Sequence, residues 1–175
     1  MGHSRESGRS PPPLYTAEQR RRRDASAWTR VQGVLAPAQF VAFAVSLWLV
    51  LAYLATGEGL VEATISVVVK TGFLYAIMVT GAFWEKDVYG QYLFAGPFFW
   101  EDVVSMAVIA LHTAYLVCLV TGGLAPREQM VLALVAYATY VVNAAQFLLK
   151  FRAARLGAQP APVPAVPDAR LVAGK

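Results

Sequence analysis

Four apolar runs of about 20 residues each constrain the fold of this chain more than any other feature. They cover 34–54, 63–83, 103–120 and 131–149. A helix of this length crosses the hydrocarbon core of a bilayer, and lipid admits only backbone that satisfies its own hydrogen bonds. The sequence therefore predicts an all-α, polytopic membrane protein with four transmembrane helices.

The charged residues are few and unevenly placed. They make up 15% of the 175 residues and gather at the two ends and between the apolar runs. The formal net charge of +4 would suit a nucleic-acid partner. Basic residues that flank apolar runs signal membrane topology first and contact with anionic lipid second. We therefore predict contact with a lipid bilayer and none with nucleic acid.

The orientation follows from the same basic residues. Four arginines at 20–23 precede the first run, and Lys150, Arg152 and Arg155 follow the last one. Cytoplasmic segments carry the excess of lysine and arginine. This pattern predicts an N-in, C-in topology, with 84–102 as a second cytoplasmic segment.

The chain divides into a tail, one membrane domain and a second tail, at 1–13, 14–155 and 156–175. Both tails are rich in proline and small residues, a composition that predicts disorder. Within the domain, 16–30 has the composition of a basic amphipathic helix on the cytoplasmic membrane surface, with Thr16 and Gln19 as a capping box. Pro37 is expected in the first turn of the first span, where proline is tolerated.

The second cytoplasmic segment concentrates acids beside tryptophans. It begins with Trp84-Glu85 and ends with Trp100-Glu101-Asp102. One interpretation is an interfacial aromatic belt with solvated charges. The other is a pair of carboxyl groups held beside large apolar rings. Apolar surroundings favour the protonated form of a carboxyl group, as a general acid at neutral pH requires.

Polar residues also enter the predicted spans. Glu101, Ser105 and His112 recur at spacings of four and seven, so they share one face of the third span. Lys70 lies inside the second span, where it either faces a partner or snorkels toward the outer surface. Asn143 and Gln146 lie inside the fourth span, where amides commonly join helices.

Metal and disulfide chemistry find little support in the residue spacing. No His, Cys and Asp residues are spaced as a metal site requires. Cys118, the single cysteine, lies inside an apolar run and has no partner for an intrachain disulfide.

Short segments throughout 14–155 carry a family resemblance. They include Val31-Gln32-Gly33, Val67-Val68-Val69-Lys70-Thr71, Trp84-Glu85-Lys86, Phe99-Trp100-Glu101-Asp102, Leu111-His112-Thr113-Ala114-Tyr115 and Val142-Asn143-Ala144-Ala145-Gln146-Phe147. Together they resemble the vinyl (bacterio)chlorophyllide hydratases. The resemblance implies an enzyme of bacteriochlorophyll synthesis in the inner, cytoplasmic or intracytoplasmic photosynthetic, membrane of a phototrophic bacterium.

The implied reaction adds water across the C3-vinyl group of chlorophyllide a or bacteriochlorophyllide a and gives the 3-(1-hydroxyethyl) pigment. It implies no cofactor beyond the magnesium that the substrate carries. Other enzymes of bacteriochlorophyll synthesis are candidate partners, and a second copy of the chain is left open because four spans enclose a macrocycle poorly. A non-catalytic tetrapyrrole-binding or photosystem-assembly protein is the competing hypothesis, and a small transporter is the third.

Site roles can be proposed for this reaction. Glu101 and Glu85 are the candidates for the general acid and for the group that holds the water, in either order, with Asp102 in reserve. His112 is expected either to relay a proton to Glu101 or to ligate the substrate's magnesium. The aromatic candidates for stacking on the macrocycle are Trp84, Trp100, Phe98 and Phe99. The polar candidates for substrate binding are Lys86 and the arginines at 20–23, which suit the propionate, with Lys70, Asn143 and Gln146.

Overall fold

The computed structural model describes residues 14–157, and its secondary structure is helical. The helices are α1 (Ala17–Ala25), α2 (Ala27–Thr56), α3 (Leu60–Tyr89), α4 (Phe99–Thr121) and α5 (Pro126–Gly157), with a 3-10 turn at Gly96–Phe98 before α4. Among these residues, four segments are long and apolar enough to cross a membrane, one for each of the helices α2 to α5. The all-α prediction with four such helices is confirmed. The tails predicted to be disordered are 1–13 and 156–175. Of these, 1–13 and 158–175 lie outside the described residues.

The long helices extend past the apolar runs. α2 and α3 have 30 residues each, so each is about 45 Å long at 1.5 Å per residue. The hydrocarbon core is only about 30 Å thick. The acidic residues next to the apolar runs therefore lie on regular helical turns at the ends of α3 and α4 and not in a loose connection.

The N-terminal segment differs from the single helix expected over 16–30. Thr16 and Gln19 form the predicted capping box, which is confirmed. The helix that they open ends at Ala25, because Ser26 has an extended backbone and caps α2 instead. α2 consequently begins before the first apolar run, and Pro37 lies in its interior. The prediction that Pro37 occupies a first helical turn was wrong.

The four long helices form two antiparallel hairpins, α2 with α3 and α4 with α5, and the closest helix contacts lie within each hairpin. Polarity is distributed opposite to that of a water-soluble protein. Large apolar side chains are exposed on the outside, as with Trp48 (68%) and Val120 (86%). Lys70, His112 and Ser46 are fully buried. This arrangement suits helices that pack with polar contacts inside and face lipid outside.

The end of α3 is fixed by a glycine and by the N-terminal helix. Gly90 has a φ of 86° and donates its N–H to the Lys86 carbonyl, which ends the helix in the left-handed conformation that glycine adopts readily. Ser26 donates a hydrogen bond of 2.6 Å to Asp87 Oδ2. These contacts hold α1 against the same end of the bundle at which Glu85 and Glu101 lie.

Candidate active site

Two carboxyl groups meet where α3 ends and α4 begins. Glu85 lies near the end of α3 and Asp102 in the first turn of α4, and both are almost fully buried. The amides of two consecutive residues, Phe94 and Ala95, contact one oxygen of each acid, so the two carboxyl groups lie close together. Two ionised carboxylates that are neighbours in a buried site repel each other. A proton shared between them removes this repulsion, so we treat the two groups as one acid pair.

The connection between α3 and α4 closes over this pair with its backbone. Phe94 N–H donates to Asp102 Oδ2 at 2.7 Å, and Ala95 N–H donates to Glu85 Oε2 at 3.1 Å. Consecutive amides thus bind both acids. The sequence drew attention to the side chains of this segment and could not indicate the role of its backbone.

Glu101 points away from the acid pair, toward α5. Lys150 forms an ion pair with its carboxylate and also donates to the Pro97 carbonyl. The lysine Nζ lies 5.1 Å from the centre of the Phe98 ring. Sequence reasoning used Lys150 for the topology and assigned it no role at the site. Its spacing of seven from Asn143, which puts both on one face of α5, was the available clue.

Asn143 joins the same group from α5. Its Nδ2 donates to the Glu101 carbonyl at 2.9 Å and lies 3.0 Å from Ser105 Oγ. Ser105 Oγ also donates to the Glu101 carbonyl, at 2.8 Å. Asn143 therefore joins the first turns of α4 to α5 and contacts the backbone of a candidate acid. Gln146 is half-buried, and its Oε1 has no hydrogen-bond partner among the described residues.

Lys70 and His112 form a separate pair deep between the hairpins. Lys70 Nζ lies 2.6 Å from His112 Nε2, and His112 Nδ1 lies 2.8 Å from the Val108 carbonyl. A carbonyl only accepts, so Nδ1 carries the proton and Nε2 accepts from the lysine. The lysine also faces the Tyr140 ring at 4.3 Å. Within residues 14–157, no carboxylate lies within ion-pair distance of Lys70.

These contacts bear on the two roles considered for His112. Both of its ring nitrogens are engaged, so it could ligate magnesium only after Lys70 moved away. Its hydrogen bonds run to Lys70 and Val108, whereas those of Ser105 run to Glu101 and Asn143. Among the described side chains, no hydrogen bond joins the two groups into a proton relay.

The four candidate aromatic residues divide into two that pack inside the protein and two that are exposed on its surface. Phe98 is 1% exposed, and its ring lies edge-on to Trp84 with centroids 5.7 Å apart. Phe99 and Trp100 are 44% and 70% exposed. The ring of Phe99 lies 5.8 Å from that of Phe94, which is also exposed. Phe98 and Trp84 thus pack beside the acids, and Phe94, Phe99 and Trp100 form an outward aromatic surface.

Lys86 lies at the edge of this region. It is exposed, its Nζ donates to the Gly90 carbonyl at 3.0 Å and it faces the Tyr92 ring at 5.3 Å. Of the arginines at 20–23, Arg21 and Arg22 bind Glu18, and Arg23 binds Asp24. No carboxylate of the described chain pairs with Lys86, so its charge is available to an anionic ligand.

An apolar groove lies elsewhere in the bundle. A groove of about 420 Å³ runs between α2 and α3 and is lined by residues of 42–49 and 62–69. Its nearest residue on α3 is 16 positions from Glu85, about 24 Å along the helix. The groove cannot serve the acid pair. In the part of the chain that the structure describes, no group of three or more His, Cys, Asp or Glu residues could hold a metal ion.

Comparison with known proteins identifies the family. The 2-vinyl bacteriochlorophyllide hydratase (BCHF) family matches residues 15–153. A 2-vinyl bacteriochlorophyllide hydratase of Cereibacter sphaeroides is 67% identical over 146 residues, 82% of this chain and 89% of that protein. One of Rhodobacter capsulatus is 65% identical over 145 residues, 83% of this chain and 84% of that protein. No solved structure matches the chain. The resemblance seen in the sequence is confirmed: the chain belongs to the 2-vinyl bacteriochlorophyllide hydratase family.

Proposed function

We propose that this chain is a hydro-lyase that adds water across the vinyl group of a bacteriochlorophyllide or chlorophyllide. Two relatives at 67% and 65% identity are hydratases of this kind, which supports the reaction. The buried pair of Glu85 and Asp102 is the structural observation that carries the mechanism. It supplies an acid at the edge of an apolar surface, where a pigment dissolved in the leaflet arrives.

The reaction needs a proton before it needs water. Protonation of the terminal vinyl carbon leaves a cation on the carbon beside the macrocycle, where the ring delocalises the charge. Water then forms the new C–O bond and loses a proton, which leaves a hydroxyethyl group. A general acid must therefore act first, and a base must hold the water.

Glu85 and Asp102 act as the acid. One proton is held between them in a nearly water-free setting, which keeps a carboxyl group able to donate at neutral pH. After donation both groups are ionised, and their mutual repulsion favours recovery of a proton from water. Asp102, the reserve candidate in the sequence, thereby becomes half of the donor.

Glu101 acts as the base. Lys150 forms an ion pair with its carboxylate, which holds that carboxylate in place as an acceptor for the attacking water. An ionised carboxylate beside a protonated acid pair gives the two complementary roles that hydration requires. Glu101 takes the proton that the attacking water releases, and exchange with water restores both groups.

The macrocycle binds on the outward aromatic surface of Phe94, Phe99 and Trp100. These rings are exposed, and Phe99 and Trp100 directly precede Glu101 and Asp102 in the first turn of α4. They offer apolar faces to a planar pigment. Lys86 binds the propionate as a charge partner. The magnesium of the pigment is part of the substrate, and the described residues provide it with no free histidine nitrogen near the acids.

Replacement of Lys150 tests the base assignment. Lys150→Met is expected to lower kcat on the order of tenfold, because the carboxylate of Glu101 loses its neighbouring cation. Lys150→Arg should preserve kcat, and Arg152→Met, an exposed control on the same helix, should not change it. A wild-type kcat in Lys150→Met would remove the base role.

We place both chain ends and the connection 90–95 in the cytoplasm, with α1 along the cytoplasmic membrane surface. Exposed basic residues at the same end of the bundle support this orientation. Cys118→Ser provides a background for single cysteines at the exposed positions Glu58 and Gln91. An impermeant maleimide should label Glu58→Cys in intact spheroplasts and Gln91→Cys only in inverted vesicles. The opposite pattern would reverse the topology.

The function itself is tested by adding chlorophyllide a, and separately bacteriochlorophyllide a, to membranes that contain the protein. We expect a hydroxyethyl product that carries ¹⁸O when the water is labelled. Membranes with an equal amount of the Glu85→Gln/Asp102→Asn variant are the matched control. Pigment that binds to the protein and is recovered unhydrated would instead support a tetrapyrrole carrier.

A further inference from the structure

Phe94 adopts a backbone conformation that a phenylalanine rarely takes. Its φ is 59°, and it is the one non-glycine residue of the described chain with a positive φ. Bulky side chains are disfavoured there, so the surrounding structure must stabilise the conformation. The side chain is 39% exposed, which means that core packing does not impose the strain.

The strained turn directs two consecutive amides to the acid pair. Neighbouring N–H groups point in opposite directions along an extended strand, whereas a left-handed residue in a turn lets them converge as an anion-binding concavity. Phe94 N–H contacts Asp102 at 2.7 Å and Ala95 N–H contacts Glu85 at 3.1 Å. Each acid therefore has its own backbone donor.

We propose that Phe94 and Ala95 are positioning residues for proton donation. Their amides stabilise the second negative charge that appears on Glu85 and Asp102 when the shared proton moves to the terminal vinyl carbon. This inference rests on the proposed function, in which the pair is the acid. Hydrogen bonds to an ionised acceptor are stronger than those to a neutral one, so both bonds strengthen as the proton leaves. Interactions that strengthen in this way lower the barrier instead of merely stabilising the resting state.

The competing explanation assigns the role of Phe94 to its ring, which is part of the pigment-binding surface. Four substitutions separate the two explanations. Phe94→Gly and Phe94→Asn favour or tolerate the left-handed backbone, whereas Phe94→Val and Phe94→Thr are β-branched and oppose it. Asn is the polar member of the first group and Thr of the second, whereas Gly has no side chain and Val is apolar. Side-chain polarity therefore does not follow the backbone preference.

We expect kcat to depend on how readily the substituted residue adopts the left-handed backbone conformation. Phe94→Gly and Phe94→Asn should keep kcat within about threefold of wild type, and Phe94→Val and Phe94→Thr should lose about tenfold or more. KM should rise in all four, because all lose the ring. In the β-branched pair the alkaline limb of the pH–rate profile should move to higher pH, since an acid whose anion is less stabilised holds its proton longer.

Other outcomes would overturn the inference. A kcat that follows side-chain size, or that is equal in all four variants, would assign the role to the ring or to neither part. An unmoved alkaline limb in Phe94→Val would also reject amide stabilisation of the acid pair. The acid assignment fails separately, if Glu85→Gln and Asp102→Asn hydrate the pigment at the wild-type rate. The two sets of variants therefore distinguish failure of this inference from failure of the proposed function.

Discussion

Glu85→Gln and Asp102→Asn are each expected to lower kcat for vinyl hydration by about 10²- to 10⁴-fold, the usual contribution of a general acid. Each substitution keeps the size of the side chain and removes a carboxyl group. The remaining partner then ionises without a neighbour that shares its proton. The rate is measured as hydroxyethyl product formed per folded protein in detergent-solubilised membranes.

The double variant distinguishes a pair from two independent acids. Groups that act as a unit are not additive, so the double variant should be about as slow as either single variant. Glu58→Gln, at an exposed position in the connection between α2 and α3, controls for the loss of an acid as such. If one single variant kept wild-type kcat while the other lost it, the shared-proton assignment would be untenable.

The second large effect concerns stability. His112→Leu is expected to reduce the free energy of unfolding by about 3–5 kcal/mol, because it leaves the buried Lys70 without its hydrogen-bond acceptor. Lys70→Met should cost less than His112→Leu, since it removes the buried amine along with its need for a hydrogen-bond partner. The double variant, Lys70→Met with His112→Leu, should be more stable than His112→Leu alone.

Unfolding of these variants by denaturant, all in the same detergent, ranks their free energies of unfolding. Cys118→Ser, a change at a partly exposed position on α4, provides the reference for a mild substitution. A His112→Leu variant at least as stable as Lys70→Met would show that Lys70 does not depend on the histidine. A double variant less stable than either single one would point to the same conclusion.

Much of the architecture could be predicted because it depends on the order of residues along one helix. Apolar runs near 20 residues indicate spans wherever they occur. The capping box at Thr16 and Gln19 depends on contacts within four residues, and it formed as expected. Pro37 was misplaced because Ser26 begins α2 well before hydropathy rises, and hydropathy does not detect a helix that extends beyond the membrane core.

The partners of the acids were harder to predict. Glu85 was paired with Glu101 because both follow a tryptophan, yet contacts between helices depend on how each helix is rotated about its axis. In the structure α4, which follows the 3-10 turn at Gly96–Phe98, is rotated so that Glu101 meets Lys150 and Asp102 lies beside Glu85. Hydropathy does not define this rotation, and the spacing of Asn143 and Lys150 on one face of α5 indicates the side of that helix without identifying Glu101 as the partner.

The Lys70–His112 contact has a consequence for biogenesis. The ribosome completes α3 before α4, so Lys70 enters the translocon while its histidine is still unmade. A lysine at the centre of an inserting helix costs about 2.5–3.5 kcal/mol on the scale measured for such insertion. Val67, Val68 and Val69, directly before it on α3, reduce this cost until the second hairpin arrives. The residue that joins the two hairpins is thus the one that most hinders insertion of the first.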